Sequence, residues 1–181
     1  MEKIRLKGVK LEYNAAKDMY IADGVEIPSV IDVLSKKFTD FTNVQIEPIH
    51  AGLNKYLKGF GHTEEINDEI EGYKILQKQH DIVPLLMGNP VIIFNDNKPI
   101  MGGYFEILAD ITGKLAITDL STTRLGADYL GYLLNLYRVG LYQSYGQEVE
   151  RLAGIYLKGN ERELIDVPID DFKVKEIIET L

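Results

Sequence analysis

Two carboxylates, Glu106 and Asp119, stand in the stretch GGYFEILADITGKLAITDLSTT, residues 102–123. Alternation of apolar and polar side chains predicts a hairpin here. Tyr104 to Ala109 forms one strand, Thr112-Gly113 the turn and Leu115 to Leu120 the second strand. Glu106 then sits mid-strand and Asp119 near the end of the neighbouring strand. A pair of acids on adjacent strands is the minimum a divalent cation needs, and it is also what a solvated sheet edge shows. Other chemistries have less support. The chain has three His and no Cys, no HExxH, no GxxxxGK[ST], no GxGxxG after a strand and no GxSxG. His50 opens a helical segment, where a lone His more often caps or faces solvent than binds a ligand.

The elements that must position these acids are legible as patterns. Ile4 to Tyr13 reads as a half-exposed strand, Met19 to Ala22 as another, Asp23-Gly24 as a tight turn, and Val25 to Pro28 as the close of a small meander. Ser29 is placed to cap a helix with Val30, Ile31, Val33 and Leu34 as its apolar stripe. Helices are expected from Ile49 to Phe60 and from Glu64 to Gln79. The second places Ile66, Ile70, Tyr73, Ile75, Leu76 and Gln79 inward, and the acids of its first turn suit the helix dipole. Pro84 to Asn89 reads as a loop, Val91 to Phe94 as a strand and Asn95-Asp96-Asn97 as a turn. Thr122 to Gly126 is a polar loop carrying Arg124. Ala127 to Tyr145 is the longest helix, with Leu130, Leu133, Leu134, Tyr137, Leu141 and Tyr142 inward, and Gly131 and Gly140 permitting close approach to a sheet. Arg151 to Lys158 and Glu163 to Val167 form a hairpin. The tail from Asp170 is a short helix, apolar at Phe172, Val174, Ile177, Ile178 and Leu181.

One domain over residues 1–181 follows, with N-terminal strands (1–28), helices (29–80), a core sheet and long helix (90–167) and a C-terminal helix (170–181). The class is α/β, a central mixed sheet flanked by helices with an N-terminal β-meander. The absence of Cys fits a reducing compartment, MEKIRLKGVK lacks an export-type apolar region, and no window reaches the ~20 apolar residues of a membrane span. A cytoplasmic protein without membrane contact is expected. The net charge of -8 is uneven. Residues 1–60 hold 9 Lys and Arg against 8 Asp and Glu, while residues 61–181 hold 11 against 20. The second part is unsuited to broad phosphate-backbone binding.

The order of several segments resembles the phage and prophage branch of the PD-(D/E)XK nuclease superfamily, the group with RecB-type exonuclease domains. The similar segments are Tyr20-Ile-Ala-Asp-Gly-Val-Glu-Ile-Pro-Ser-Val-Ile-Asp-Val-Leu34, Ile49-His50-Ala-Gly-Leu53, Gly103-Tyr-Phe-Glu106, Asp119-Leu-Ser-Thr122 and Leu133 to Tyr137. The resemblance as a whole covers roughly residues 10 to 167. The resemblance implies a restriction-endonuclease-like core. It also implies Glu106 and Asp119 as magnesium or manganese ligands, and His50, Arg124 and Tyr137 as contacts to nucleic acid or a partner.

Departures from the pattern shape the functional expectation. The first acid's position falls at Gly88 or Asn89, the second acid is Glu106 rather than Asp, the lysine is Ser121 and the helix glutamine is Leu133. Loss of both a metal ligand and the charged group removes much of an electrostatic mechanism, since one well-placed stabiliser is worth ~2.7–4 kcal/mol. Rescue would need Arg124, Lys114 or Glu71. Three readings follow: a nuclease-like protein with a decayed site or a divergent active nuclease; a non-catalytic inhibitor of a host defence nuclease, anti-CRISPR-like, docking through its acidic surface; and a homodimer supported by Tyr129, Tyr132, Tyr142 and Tyr145 of the long helix, which cannot all face one core.

Overall fold

The computed structural model describes residues 3–6, 8–14, 19–39, 55–57 and 67–181. A four-stranded antiparallel meander comes first: β1 (Lys3–Leu6), β2 (Val9–Asn14), β3 (Met19–Ala22) and β4 (Val25–Pro28), in that spatial order. The single strand expected from Ile4 to Tyr13 is two strands. Leu6 pairs with Val9, and Gly8 just before Val9 stands at φ +85°, a backbone angle that glycine adopts without steric cost. Asp23-Gly24 turns as expected. Ser29 then caps α1 (Val30–Lys37), its Oγ accepting from the Asp32 amide at 2.9 Å.

The main sheet has the order β5-β6-β7-β8-β9, with β5 (Ile82–Asn95), β6 (Lys98–Ile111), β7 (Lys114–Ser121), β8 (Arg151–Lys158) and β9 (Glu161–Val167). All neighbours pair antiparallel except β7 and β8, which run parallel and are joined through α3 (Ala127–Tyr145). The sheet is therefore mixed, as expected, and begins at Ile82 rather than near residue 90. Asp96-Asn97 and Thr112-Gly113 turn the two long hairpins with positive φ at both residues, the geometry that matches strand twist.

Pro84 to Asn89 is strand rather than loop. β5 lies at the edge of the sheet, where a proline removes no necessary ladder bond, and an irregularity between Pro84 and Leu86 absorbs the misfit.

Helices cover both faces. Against α2 (Asn67–His80), Ile70, Tyr73 and Leu76 pack on Ile107, Ala109 and Leu120. Gln79, expected inward, is exposed because it lies beyond the last buried position of that stripe. On the other face, Leu130, Leu133, Leu134, Tyr137 and Leu141 of α3 pack on Val91, Met101 and Leu152, with Val30 and Leu34 of α1 closing the cluster. Tyr142 is exposed: Leu141 and Ser144 take the sheet-facing positions of that turn and rotate Tyr142 outward. Gly140 does lie against the sheet, where a Cβ would come within 2.8 Å of Val91 Cγ2. Gly131 instead accommodates the Lys173 stem of α4 (Asp171–Glu179). In α4, Val174 and Ile177 are buried and Phe172 points to solvent on the other side of this one-sided helix, while Leu181, beyond the helix end, is exposed.

The meander docks on the sheet through Gly102. A Cβ there would sit 2.3 Å from Cγ of Tyr20, so the Tyr20 ring lies directly on β6 backbone. Ser29 forms an isolated parallel bridge to the same glycine. The third core, of Leu11, Tyr20, Ile27 and Ile92, is built around that contact.

Candidate functional site

The two acids meet where β6 and β7 part. Their ladder runs from Ile111↔Lys114 to Ile107↔Thr118 and stops, and the next residues in that register are Glu106 and Asp119. Past the last pair, Glu106 Oε2 accepts the Leu120 amide at 2.8 Å. A side-chain carboxylate thus does what the next backbone carbonyl would have done. This arrangement satisfies a donor that would otherwise be left at the fork.

Asp119 pairs in register with Gly154 of β8, whose missing Cβ lets Leu130 of α3 approach; a Cβ there would come within 2.9 Å of Leu130 Cδ1. Asp119, Ser121, Leu130, Gly154 and Tyr156 line a small cleft of about 10 Å³, room for about one water. Burial pushes the Asp119 carboxyl up to about 7. Two tyrosines of α3 feel its charge. Tyr129 is pushed up to about 12 by burial and then by Asp119, and Tyr137 well above its ordinary value by burial, then by Asp119. Tyr137 also packs on Gly103, where a Cβ would be 2.7 Å from its Cε1.

Ser121, the position the resemblance gives to a lysine, has its hydroxyl committed to a turn. Its Oγ donates to the Thr123 carbonyl at 2.7 Å and accepts the Thr123 amide at 3.0 Å. Arg124 is exposed, with its Nη2 2.9 Å from Glu163 Oε2 and its guanidinium 5.1 Å above the Tyr156 ring. Its ion pair is with β9 rather than with the two acids. Lys114 begins β7, five residues before Asp119, which at strand spacing is roughly 17 Å away. Glu71 is an exposed residue of α2 that pairs with Lys74 at 2.5 Å. Asn89 pairs with Phe105, Gly88 stands under the Tyr104 ring, and neither offers a carboxylate. His50 lies outside the described residues, as does most of the helix expected from Ile49 to Phe60.

As a metal site the donor set is short. Glu106 has one oxygen engaged by the Leu120 amide, Asp119 carries a raised carboxyl, and among the described residues no third His, Cys, Asp or Glu joins them. Two carboxylates with substrate phosphates can hold magnesium, but a resident ion usually finds more ligands than these.

Of the four tyrosines that cannot all face one core, Tyr129 is buried beside Asp119, a role the sequence reading does not assign it. Its spacing of eight from Tyr137 puts both on one face of α3, and that signal was available. Tyr132 is also buried, its ring between the ammonium groups of Lys37 and Lys173 at 4.8 and 4.3 Å and its hydroxyl donating to Glu176.

No protein-family model and no curated protein matches the chain. Among solved structures, the chain is similar to SSO0001, with a TM-score of 0.39 and 13% identity over 83% of this chain and 72% of that one. Among the described residues, no helix is long and apolar enough to cross a membrane.

Proposed function

We propose that this chain is a PD-(D/E)XK nuclease-like protein with a decayed catalytic site, acting on nucleic acid or nucleic-acid machinery in the cytoplasm of a host cell. One observation supports the reading above the rest. Glu106, Asp119 and Tyr137 come from three separate segments singled out by the resemblance, and they converge on the fork between β6 and β7. The decay is supported by the same place: no carboxylate at Gly88 or Asn89, and a Ser121 hydroxyl spent on Thr123.

The unequal charge favours a second reading, in which the protein inhibits a host defence nuclease by presenting acids to its basic groove. Calorimetric titration with magnesium and manganese, beside Asp119→Ala, tests the proposal, followed by cleavage assays on single- and double-stranded DNA and RNA. The decayed-site reading expects no turnover with either metal. Divalent-dependent cleavage that disappears in Asp119→Ala overturns it in favour of an active nuclease.

A further inference from the structure

Six exposed apolar or aromatic side chains gather along the outer side of β5. Val83, Leu85 and Leu86 are 51%, 56% and 44% exposed, and Tyr104, Tyr142 and Tyr145 are 50%, 51% and 46% exposed. The Tyr104 ring stands over Gly88, the Tyr145 hydroxyl donates to the Pro90 carbonyl at 2.8 Å, Tyr142 is one turn back on α3, and Val83, Leu85 and Leu86 precede Gly88 on the same strand.

We propose that this face seats a second copy of the chain across a two-fold axis near Leu85. The exposed parts of the six side chains amount to roughly 600 Å² per copy, which places a symmetric pair at the lower bound of stable interfaces. The strand carries no charged residue from Ile82 to Asn95, so two copies meet there without like charges in contact. Charge-poor, tyrosine-rich composition is what interface centres show.

The edge is protected against open-ended strand pairing. Gln143 bonds both the amide and the carbonyl of Phe94, at 2.7 and 3.1 Å, and Ser144 does the same for Ile92, at 2.9 and 3.3 Å. Pro84 has no amide hydrogen, and the ladder slips between Pro84 and Leu86. These contacts cover the edge from Pro90 to Phe94 and interrupt it at Pro84, which suits a closed pair rather than a fibre.

Sedimentation equilibrium of the full chain across the micromolar range, at low and high salt, tests this. A reversible monomer–dimer equilibrium is expected, tightening with salt because each copy carries -8. Leu85→Lys with Leu86→Lys should weaken it at least about tenfold. Phe172→Lys, on the most exposed apolar side chain elsewhere, should leave it unchanged. If the double variant does not fold, Tyr142→Lys takes its place. A wild-type monomer throughout, open-ended larger species, or a dimer indifferent to these β5-face changes overturns the proposal.

Discussion

Glu106 and Leu120 are joined across the fork of two strands by a 2.8 Å bond from the Leu120 amide to Glu106 Oε2. The bond gives Glu106 a structural task whatever else the site does. It also separates two substitutions that a purely electrostatic role would not separate. Glu106→Gln keeps a carbonyl acceptor for the amide and should unfold within about 0.5 kcal/mol of wild type, whereas Glu106→Ala strands the donor and should cost about 1–3 kcal/mol. Urea denaturation of both variants checks this, and equal losses would remove the bond from the account.

Asp119 makes stability depend on pH. Its folded carboxyl is raised to about 7 from an ordinary value of 3.8, so between those values the folded chain holds a proton that the unfolded chain has released. Stability from this group is therefore lost as pH rises from about 4 to about 7, on the order of 1–3 kcal/mol with allowance for its partial exposure. Asp119→Asn should flatten that slope and be the more stable protein at pH 8. Unfolding midpoints measured across this range decide it, and a wild-type slope retained in the variant would assign the titration elsewhere.

Local signals carried much of the fold. The positive-φ turns at Asp23-Gly24 and Thr112-Gly113, the Ser29 cap and the bounds of α3 follow from residues adjacent in sequence. Where the reading failed, a partner distant in the chain decided. Pro84 to Asn89 carries loop residues and becomes strand because β6 pairs with it. Phe172 keeps a helical pattern and still faces solvent, since only one side of α4 meets α3. The acids of the site were legible as residues on adjacent strands. Their surroundings were not, because the carboxylate–amide bond of Glu106 and the turn that holds Ser121 depend on where a ladder ends.

Docking of the meander depends on Gly102. Because a Cβ there would meet Tyr20 Cγ at 2.3 Å, Gly102→Ala must displace either the ring or β6. An overpacking loss of about 1–3 kcal/mol is expected. Tyr20→Ala in the Gly102→Ala background should recover part of that loss by making room, so the two changes will be non-additive. Additive losses in a double-mutant cycle would show that the ring and the glycine act separately.

Among the described residues, the α2 side of the sheet holds two hydroxyls without a hydrogen-bond partner, Tyr73 Oη and Thr118 Oγ1, both on fully buried residues. Burial raises the Tyr73 phenol above its ordinary value, so it stays neutral and its whole cost is that of a polar group removed from water. Deleting such a hydroxyl removes the cost and little else. Tyr73→Phe should therefore stabilise the protein by about 1 kcal/mol, and Thr118→Val, nearly the same shape, should be neutral or stabilising. Either result runs against the usual direction of core substitutions, which destabilise. Thermal unfolding of the two variants is the check. A clear loss in Tyr73→Phe would mean that the phenol has a bound partner, such as an ordered water, in solution.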